Sequence, residues 1–560
     1  MDAVEMNAMV AAAAAGSAAL AAPWARARLA LSCAKHPSLA GHARMARRVA
    51  RLLPYYEHTG DRFFAVDGAP ADVVQRRREG FDRLAARLAE RAPRTVAMTR
   101  ELTEGLSDLR FTGAYRVPFP FSRHVAAHLP TGVCAGEASD VTVTDLDGNE
   151  AFDLSGSYGL NVFGYRFYRD CIDTGVAYVR DLGPVLGPYH PVVADNVAKL
   201  REISGLDEVS FHMSGTEAVM QAVRLARYHT GRSHHVQFTG AYHGWWDGVQ
   251  PGVGNPRRTR DVYMLREMDE RTLRVLERRR DVACVLVNPL QALHPNASAP
   301  GDASLVGARK VTSADRATYA AWLGKLREVC TRRDIPLILD EVFLGFRLAR
   351  GGAQEYFGVK ADLVTYGKTL GGGLPVGVLC GTRRLMKRYR DDRPSDVCFA
   401  RGTFNSHPYV MGAMHAFLDR VDDPARRASY ATLDAVWRVR LARMNAALAG
   451  HDLPIRMAGL ASIWTVCYDV PSRYNWMLQF YLRTQGLALS WVGTGRLIFS
   501  HVLSDADFAA IVERVVAAAL AMREDGWWWA DPAAPGGAGR QLLREVVAAW
   551  AGSIHSPRRT

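Results

Sequence analysis

Cysteine is sparse in this chain, eight in 560 residues (Cys33, Cys134, Cys171, Cys284, Cys330, Cys380, Cys398 and Cys467). They show no CxxC pair and no regular spacing, which speaks against a disulfide framework or a structural zinc site. His234-His235 likewise lacks carboxylate or cysteine partners in a ligand pattern, so no metal is expected. Long apolar runs are missing too. The longest near the N-terminus, Met9 to Ala22, is mostly alanine, follows Asp2 and Glu5 instead of a positive segment, and falls short of a membrane span. The expectation is a cytoplasmic protein with no export signal and no membrane partner. Lysine is scarce, whereas Arg and Ala recur in every segment. The net charge of +13 therefore reads as a composition bias spread over the chain and not as a basic stripe on one element, and no nucleic-acid partner is expected. What the chain does have, 48% hydrophobic and 23% charged residues, excludes disorder and fibre.

Its organisation changes along the sequence. Residues 1–105 read as a helical N-terminal extension, with the clearest helix from Asp72 to about Ala92 and Pro93 ending it. Val141–Thr144, the turn Asp147-Gly148-Asn149 and Ala151–Leu154 predict a β-hairpin. After residue 200, short apolar runs (Val209–Met213, Val236–Phe238, Ala283–Val287, Pro336–Leu339, Leu363–Thr365, Val378–Leu379) alternate with helical patterns such as Ala218–Tyr228 and Tyr319–Thr331. That alternation predicts an α/β fold with a largely parallel sheet covered on both faces. Beyond about 420 the chain turns helical again with a few strands, and the Pro/Gly/Ala-rich Asp531–Gly539 reads as a linker.

Four segments carry chemistry. A buried strand, Ile335–Leu339, runs into Asp340-Glu341-Val342, so a carboxylate sits at a strand end, where α/β folds place ligands. A second strand, Ala361–Gly367, delivers Lys368, followed by Gly371-Gly372-Gly373, which let backbone approach a flat ligand. Lysine in that place is a candidate Schiff-base former if its amine is neutral near pH 7. Val209–Met213 leads into Ser214-Gly215-Thr216 and a helix start, an arrangement suited to a phosphate. Gly240-Ala241-Tyr242-His243-Gly244 offers an aromatic for ring stacking. One ligand has a phosphate, a flat ring, a protonatable ring nitrogen and an aldehyde: pyridoxal phosphate (PLP).

The ordered motifs Ser214-Gly-Thr-Glu-Ala218, Tyr242-His-Gly244, Asp340-Glu-Val342 with Gly345-Phe346-Arg347, and Tyr366-Gly-Lys-Thr-Leu-Gly-Gly-Gly-Leu-Pro-Val-Gly377 resemble the class III, fold-type I aminotransferases. Within these the chain is most similar to the glutamate-1-semialdehyde 2,1-aminomutase group, over about residues 110–520. The resemblance implies a mixed, mostly parallel sheet flanked by helices in a large PLP-binding domain (171–420). It also implies a smaller α+β domain split between 106–170 and 421–530, with 531–560 a linker and tail. It implies that Lys368 holds PLP as a Schiff base and moves protons, that Asp340 pairs with the pyridine nitrogen, and that Val342 and Tyr242 sandwich the ring. Ser214, Gly215 and Thr216 would bind the phosphate, with His243 among the cofactor contacts and Gln291 on the ring oxygen. Thr403, in Arg401-Gly-Thr-Phe-Asn405, would reach the phosphate of a neighbouring subunit, which implies a homodimer with shared active sites. Tyr158, Arg496 and Arg116 stand where the family contacts substrate, as does Arg123 more loosely.

One departure bears on activity: Val287-Asn288-Pro289 has Asn where the family usually carries Glu. The resemblance therefore implies, first, an aminotransferase taking an amino acid donor and a carbonyl acceptor (aldehyde, keto acid or β-keto thioester). The long extension is similar to that of aminotransferases of polyketide or peptide assembly lines in secondary metabolism, where a carrier protein can tether the acceptor. A 2,1-aminomutase is the second reading. A PLP-binding transcriptional regulator is a third, against which stands the lack of a convincing helix-turn-helix before the cofactor domain; a binding-only homologue is the fourth.

Overall fold

The six apolar runs expected after residue 200 are all strands of one sheet, and a seventh joins them. The computed structural model describes residues 22–257, 260–290, 316–491, 493–531 and 537–554. The sheet strands are β1 (Glu208–His212), β2 (His234–Phe238), β3 (Val262–Leu265), β4 (Val282–Val287), β5 (Leu337–Asp340), β6 (Leu363–Gly367) and β7 (Gly377–Gly381). Their order is β1-β7-β6-β5-β4-β2-β3. From β6 to β3 every pairing is parallel, and β7 runs antiparallel to both neighbours, so the sheet is mixed but mostly parallel, the expected fold class. The strand absent from the sequence reading, β3, lies at the edge and alternates half-buried with buried residues, a weaker signal than the unbroken apolar run of β4.

Period-two geometry explains why both sheet faces are apolar. Cys284, Leu286, Ile338, Leu363 and Leu379 pack with Val219, Ala222 and Val223 of the helix Gly215–Thr230. Their sequence neighbours Val285, Val287, Leu337, Leu339 and Val364 join Leu323 and Leu326 of the helix Arg316–Arg332 in the main core. Ser214 caps the helix Gly215–Thr230 by accepting from Glu217 N, and Gly231 ends it in the left-handed region.

The N-terminal helices are not a separate body. Phe63, Phe81, Leu88 and Phe121 share one core with Trp464, Trp476, Phe508 and Trp527. The expected helix runs Ala71–Arg91, and Pro93 opens the next one, Pro93–Gly105, where its missing N–H costs nothing. The expected hairpin pairs Thr142–Asp145 with Glu150–Asp153, and Leu487–Ala488 adds to it in parallel, joining segments more than 300 residues apart. Two expectations need correction. The tail is more than a linker: Gly537–Ile554 is a helix, whose Glu545 accepts from Arg473 at 3.0 Å and lies 3.5 Å from His58 Nε2. The basic charge is also not evenly spread, since the helix Ala43–Leu52 carries Arg44, Arg47, Arg48 and Arg51 at i, i+3, i+4 and i+7. No helix among the described residues is long and apolar enough to cross a membrane.

Arg347, fully buried, links the large sheet to the segments that will border the site. It donates to Ser462 Oγ at 2.9 Å, to Phe499 O at 2.7 Å and to Asn161 O at 3.1 Å. Burial pulls its pKa down to about 10, and its hydrogen bonds go to a hydroxyl and to carbonyls. Replacing Arg347 by Met is expected to cost about 2–4 kcal/mol, because carbonyls built to accept from it stay buried without donors. Urea unfolding followed by circular dichroism checks this; a midpoint equal to wild type would show that the clamp adds no stability.

Candidate active site

Five loops leave the same edge of the sheet. Asp340 ends β5 and Lys368 follows β6, while Ser214–Thr216 follow β1, Tyr242–Gly244 follow β2 and Asn288 follows β4. Parallel strands put all these C-terminal ends together, and a cavity of about 480 Å³ opens there. Ser214, Thr216, Tyr242, His243, Asp340 and Lys368 line it, joined by Val342, Asn288 and Arg496.

Asp340 is fixed from two sides. Its Oδ2 is 2.7 Å from His243 Nδ1, and its Oδ1 accepts from Thr365 Oγ1 and from Val342 N, each at 3.2 Å. His243 is buried and its Nε2 has no hydrogen-bond partner among the described residues. The adjacent Glu341 turns away from the cavity: it accepts from Ala353 N at 2.6 Å and Gln354 N at 3.1 Å, and burial pushes its pKa up to about 8.

Lys368 sits in the left-handed region at φ 47°, a strained place for a residue with a Cβ. Its Nζ lies 5.5 Å from the centre of the Phe343 ring. Burial lowers its pKa; the Asp340 charge opposes that and the Arg496 charge adds to it. The net effect favours a neutral amine at lower pH than usual. Opposite, the helix Gly215–Thr230 points its N-terminus into the cavity, where free N–H groups and the helix dipole suit an anion. The cradle is tight: a Cβ on Gly244, at φ +92°, would lie 2.4 Å from Thr216 Oγ1. Tyr242 is 57% exposed at the mouth, and Asn288 donates to its carbonyl at 3.2 Å.

The remaining sequence-derived residues divide. Arg496 lines the cavity. Tyr158 and Arg116 line a neighbouring cavity of about 390 Å³ together with Arg483, a residue that sequence reading missed. Only one residue separates Tyr158 from the Lys368 wall, because a Cβ on Gly159 would meet the Phe343 ring at 2.5 Å. Ser157 and Tyr158 both have positive φ, held there by Ser157 Oγ and Tyr165 OH at 2.6 Å and by Tyr165 OH donating to Asp153 at 2.6 Å. Burial and the Arg116 charge bring the Arg483 guanidinium down to about 9. Arg123 is exposed, paired with Glu57 at 2.7 Å, and lines neither of these two cavities. Thr403 is exposed and lies outside this chain's own Lys368 cavity, while Gln291 lies outside the described residues. Arg483 and Phe343 had no sequence signal, since each is a single residue inside an ordinary helical or loop pattern.

A profile described as "Aminotransferase class-III" matches residues 124–519. The chain belongs to the class-III aminotransferases. It is 33% identical to a glutamate-1-semialdehyde 2,1-aminomutase of Nitratidesulfovibrio vulgaris over 66% of this chain and 87% of that one. To the protein of that name from Methanocaldococcus jannaschii it is 30% identical, over 60% and 76%. Among solved structures it is similar to one titled "Transaminase with PLP bound", with 25% identity, TM-score 0.59, and 75% of this chain and 99% of that one covered. A glutamate-1-semialdehyde aminomutase from Pseudomonas aeruginosa PAO1 shares the fold at 20% identity, with TM-score 0.63 over 81% and 99% of the two chains.

The cofactor of this family is PLP. The cavity of this class-III aminotransferase fits it: an anion cradle that a Cβ would fill, a half-buried amine, a buried carboxylate with acceptor capacity left, and the orphaned His243 nitrogen behind that carboxylate. Two outcomes follow. Lys368→Ala is expected to abolish the visible absorbance of the lysine-bound cofactor, read directly on purified protein with added PLP. Gly244→Ala is expected to weaken PLP binding at least tenfold, about 1.4 kcal/mol, by titration; unchanged affinity would mean that the cradle does not receive the phosphate.

Proposed function

We propose that this protein transfers an amino group from an amino acid to a carbonyl acceptor, an aldehyde, keto acid or β-keto thioester, in two half-reactions. The observation that carries this reading is the lysine of lowered pKa beside a buried, braced aspartate, with Arg496 on the same cavity wall. Bound PLP supplies a carbonyl to link to the amine and a ring that takes up electrons from the substrate carbon. The rest is the chain's work. Lys368 accepts and returns the proton at the substrate carbon, and its lowered pKa makes the neutral base available. Asp340, positioned by His243 and Thr365, accepts from the ring N–H and keeps the ring protonated. Ser214, Gly215 and Thr216 take the phosphate, and Val342 and Tyr242 flank the ring. Asn288 takes no charge to the cavity; its side chain is occupied by the Tyr242 carbonyl and Leu290 N.

Arg496 serves the α-carboxylate of the donor. Arg116 and Arg483, which form no ion pair among the described residues, give the side cavity its positive character around Tyr158 and suit a second anionic group on a substrate. Thr403 stands on an exposed loop beside the exposed Phe399 and Phe404, which supports a homodimer in which Thr403 completes the neighbouring phosphate site. The 2,1-aminomutase reading is favoured by the names of the curated relatives.

Incubating the PLP-loaded protein with single amino acids separates the two. Transamination converts bound cofactor to its pyridoxamine form and releases a keto acid, whereas an aminomutase responds only to one amino-carbonyl compound and shows no net transfer. In the same assay Arg496→Gln is expected to raise KM for α-amino acids at least tenfold, about 1.4 kcal/mol, with little effect on amines lacking a carboxylate. Equal effects on both classes would remove Arg496 from the carboxylate site.

A further inference from the structure

A strongly cationic cleft lies outside the Lys368 cavity. The helix Ala43–Leu52 forms one wall of a cleft of about 940 Å³, whose lining contains six cationic side chains: Lys35, Arg44, Arg47, Arg48, Arg51 and Arg260. Among the described residues no carboxylate lines it, its one ring is the imidazole of His42, and it shares no residue with the Lys368 cavity. None of the six forms an ion pair among the described residues. Elsewhere in the extension four arginines, Arg76, Arg77, Arg78 and Arg83, face Asp72, Asp67, Asp61 and Asp525. Burial, and after it the neighbouring Arg28, hold the Lys35 ammonium below its ordinary value.

The cleft is also braced. Arg47 donates to Asn255 O at 3.2 Å and to Arg257 O at 2.6 Å, and Asn255 in turn donates to Asp247 O and Gln250 O. Helix and loop are thus tied at one end while Arg44, Arg48 and Arg51 remain unpaired along about 10 Å of helix. The opposite wall, with Pro251, Pro256, Val262 and Met264, contributes no competing charge. Unpaired cations gathered in a concavity repel one another and raise the local concentration of anions. Guanidinium forks match phosphate oxygens in pairs.

We infer that this cleft binds a small ligand bearing two or more phosphate groups, of nucleotide size, at a site separate from the PLP phosphate. Its volume is in the range of small-molecule pockets. Among the described lining residues there is no Phe, Tyr or Trp, so the successive bases of a single-stranded nucleic acid find no row of aromatic platforms beyond His42.

The test uses the full-length, PLP-saturated protein titrated with tripolyphosphate by calorimetry at fixed ionic strength, so that the cofactor's own phosphate site is filled. The expected result is saturable binding at one site per chain, weakened at least tenfold in Arg44→Gln/Arg48→Gln/Arg51→Gln, with amino transfer unchanged. Arg47 is left in place because it braces the loop. Should the triple variant fail to fold by near-ultraviolet circular dichroism, Arg260→Gln, on the other wall, is expected to weaken binding at least threefold. Absence of saturable binding, or undiminished binding in the folded variants, overturns the proposal. So does binding of heparin or polyglutamate without tripolyphosphate, which would assign the cleft to an acidic macromolecule.

Discussion

The active-site geometry rests on a cation buried without a carboxylate. Arg347 spreads its guanidinium between the hydroxyl of Ser462 and the carbonyls of Asn161 and Phe499. One partner stands at the strand pair of the small domain, one follows the strained Ser157-Tyr158 turn, and one lies three residues beyond Arg496. A planar fork with five donors can hold three chain segments at fixed angles, which a lysine's single ammonium could not do. The large sheet sets where Lys368 and Asp340 lie; Arg347 ties to that sheet the segments that carry Asn161, Ser462 and Phe499.

Inside that frame, burial tunes the chemistry. Lys368 is desolvated enough to lower its pKa, while Asp340 keeps three hydrogen-bond partners. An amine that burial makes easier to deprotonate thus stands beside a carboxylate fixed in place by its hydrogen bonds. Glu341, adjacent in sequence, shows how far position decides: turned into the protein, it serves two backbone N–H groups and its pKa rises.

The N-terminal extension contributes no residue to the Lys368 cavity, but its Leu88, Arg91, Thr95 and Val96 help line the side cavity around Tyr158. Its aromatic residues are part of the same core as the C-terminal Trp464, Trp476 and Trp527, so it cannot be separated from the small domain without opening that core. Among its arginines, Arg76, Arg77, Arg78 and Arg83 face aspartates, whereas Arg44, Arg47, Arg48 and Arg51 line the cleft with no ion pair among the described residues. The first kind supports packing, and the second leaves a concentrated positive field on a surface the sheet does not need.

Much was legible in the sequence. Strands buried on both faces read as unbroken apolar runs, and the residues that end them are chemically conspicuous: Asp340 as a carboxylate directly after an apolar run, Lys368 and Ser214–Thr216 by the glycines beside them. The edge strand Val262–Leu265 was not legible, since half its residues face away from the core, and neither was the tail helix behind its Pro/Gly-rich opening. Arg347 was visible as part of a motif, but its task was not. Local sequence by itself determined the elements and the residues that could react, because propensity, periodicity and the lack of a Cβ act over a few neighbouring positions. Only the tertiary structure decided which of those residues share a cavity, which of two adjacent carboxylates faces it, and which arginines remain unpaired. Those outcomes depend on contacts between segments hundreds of residues apart and on the water they exclude.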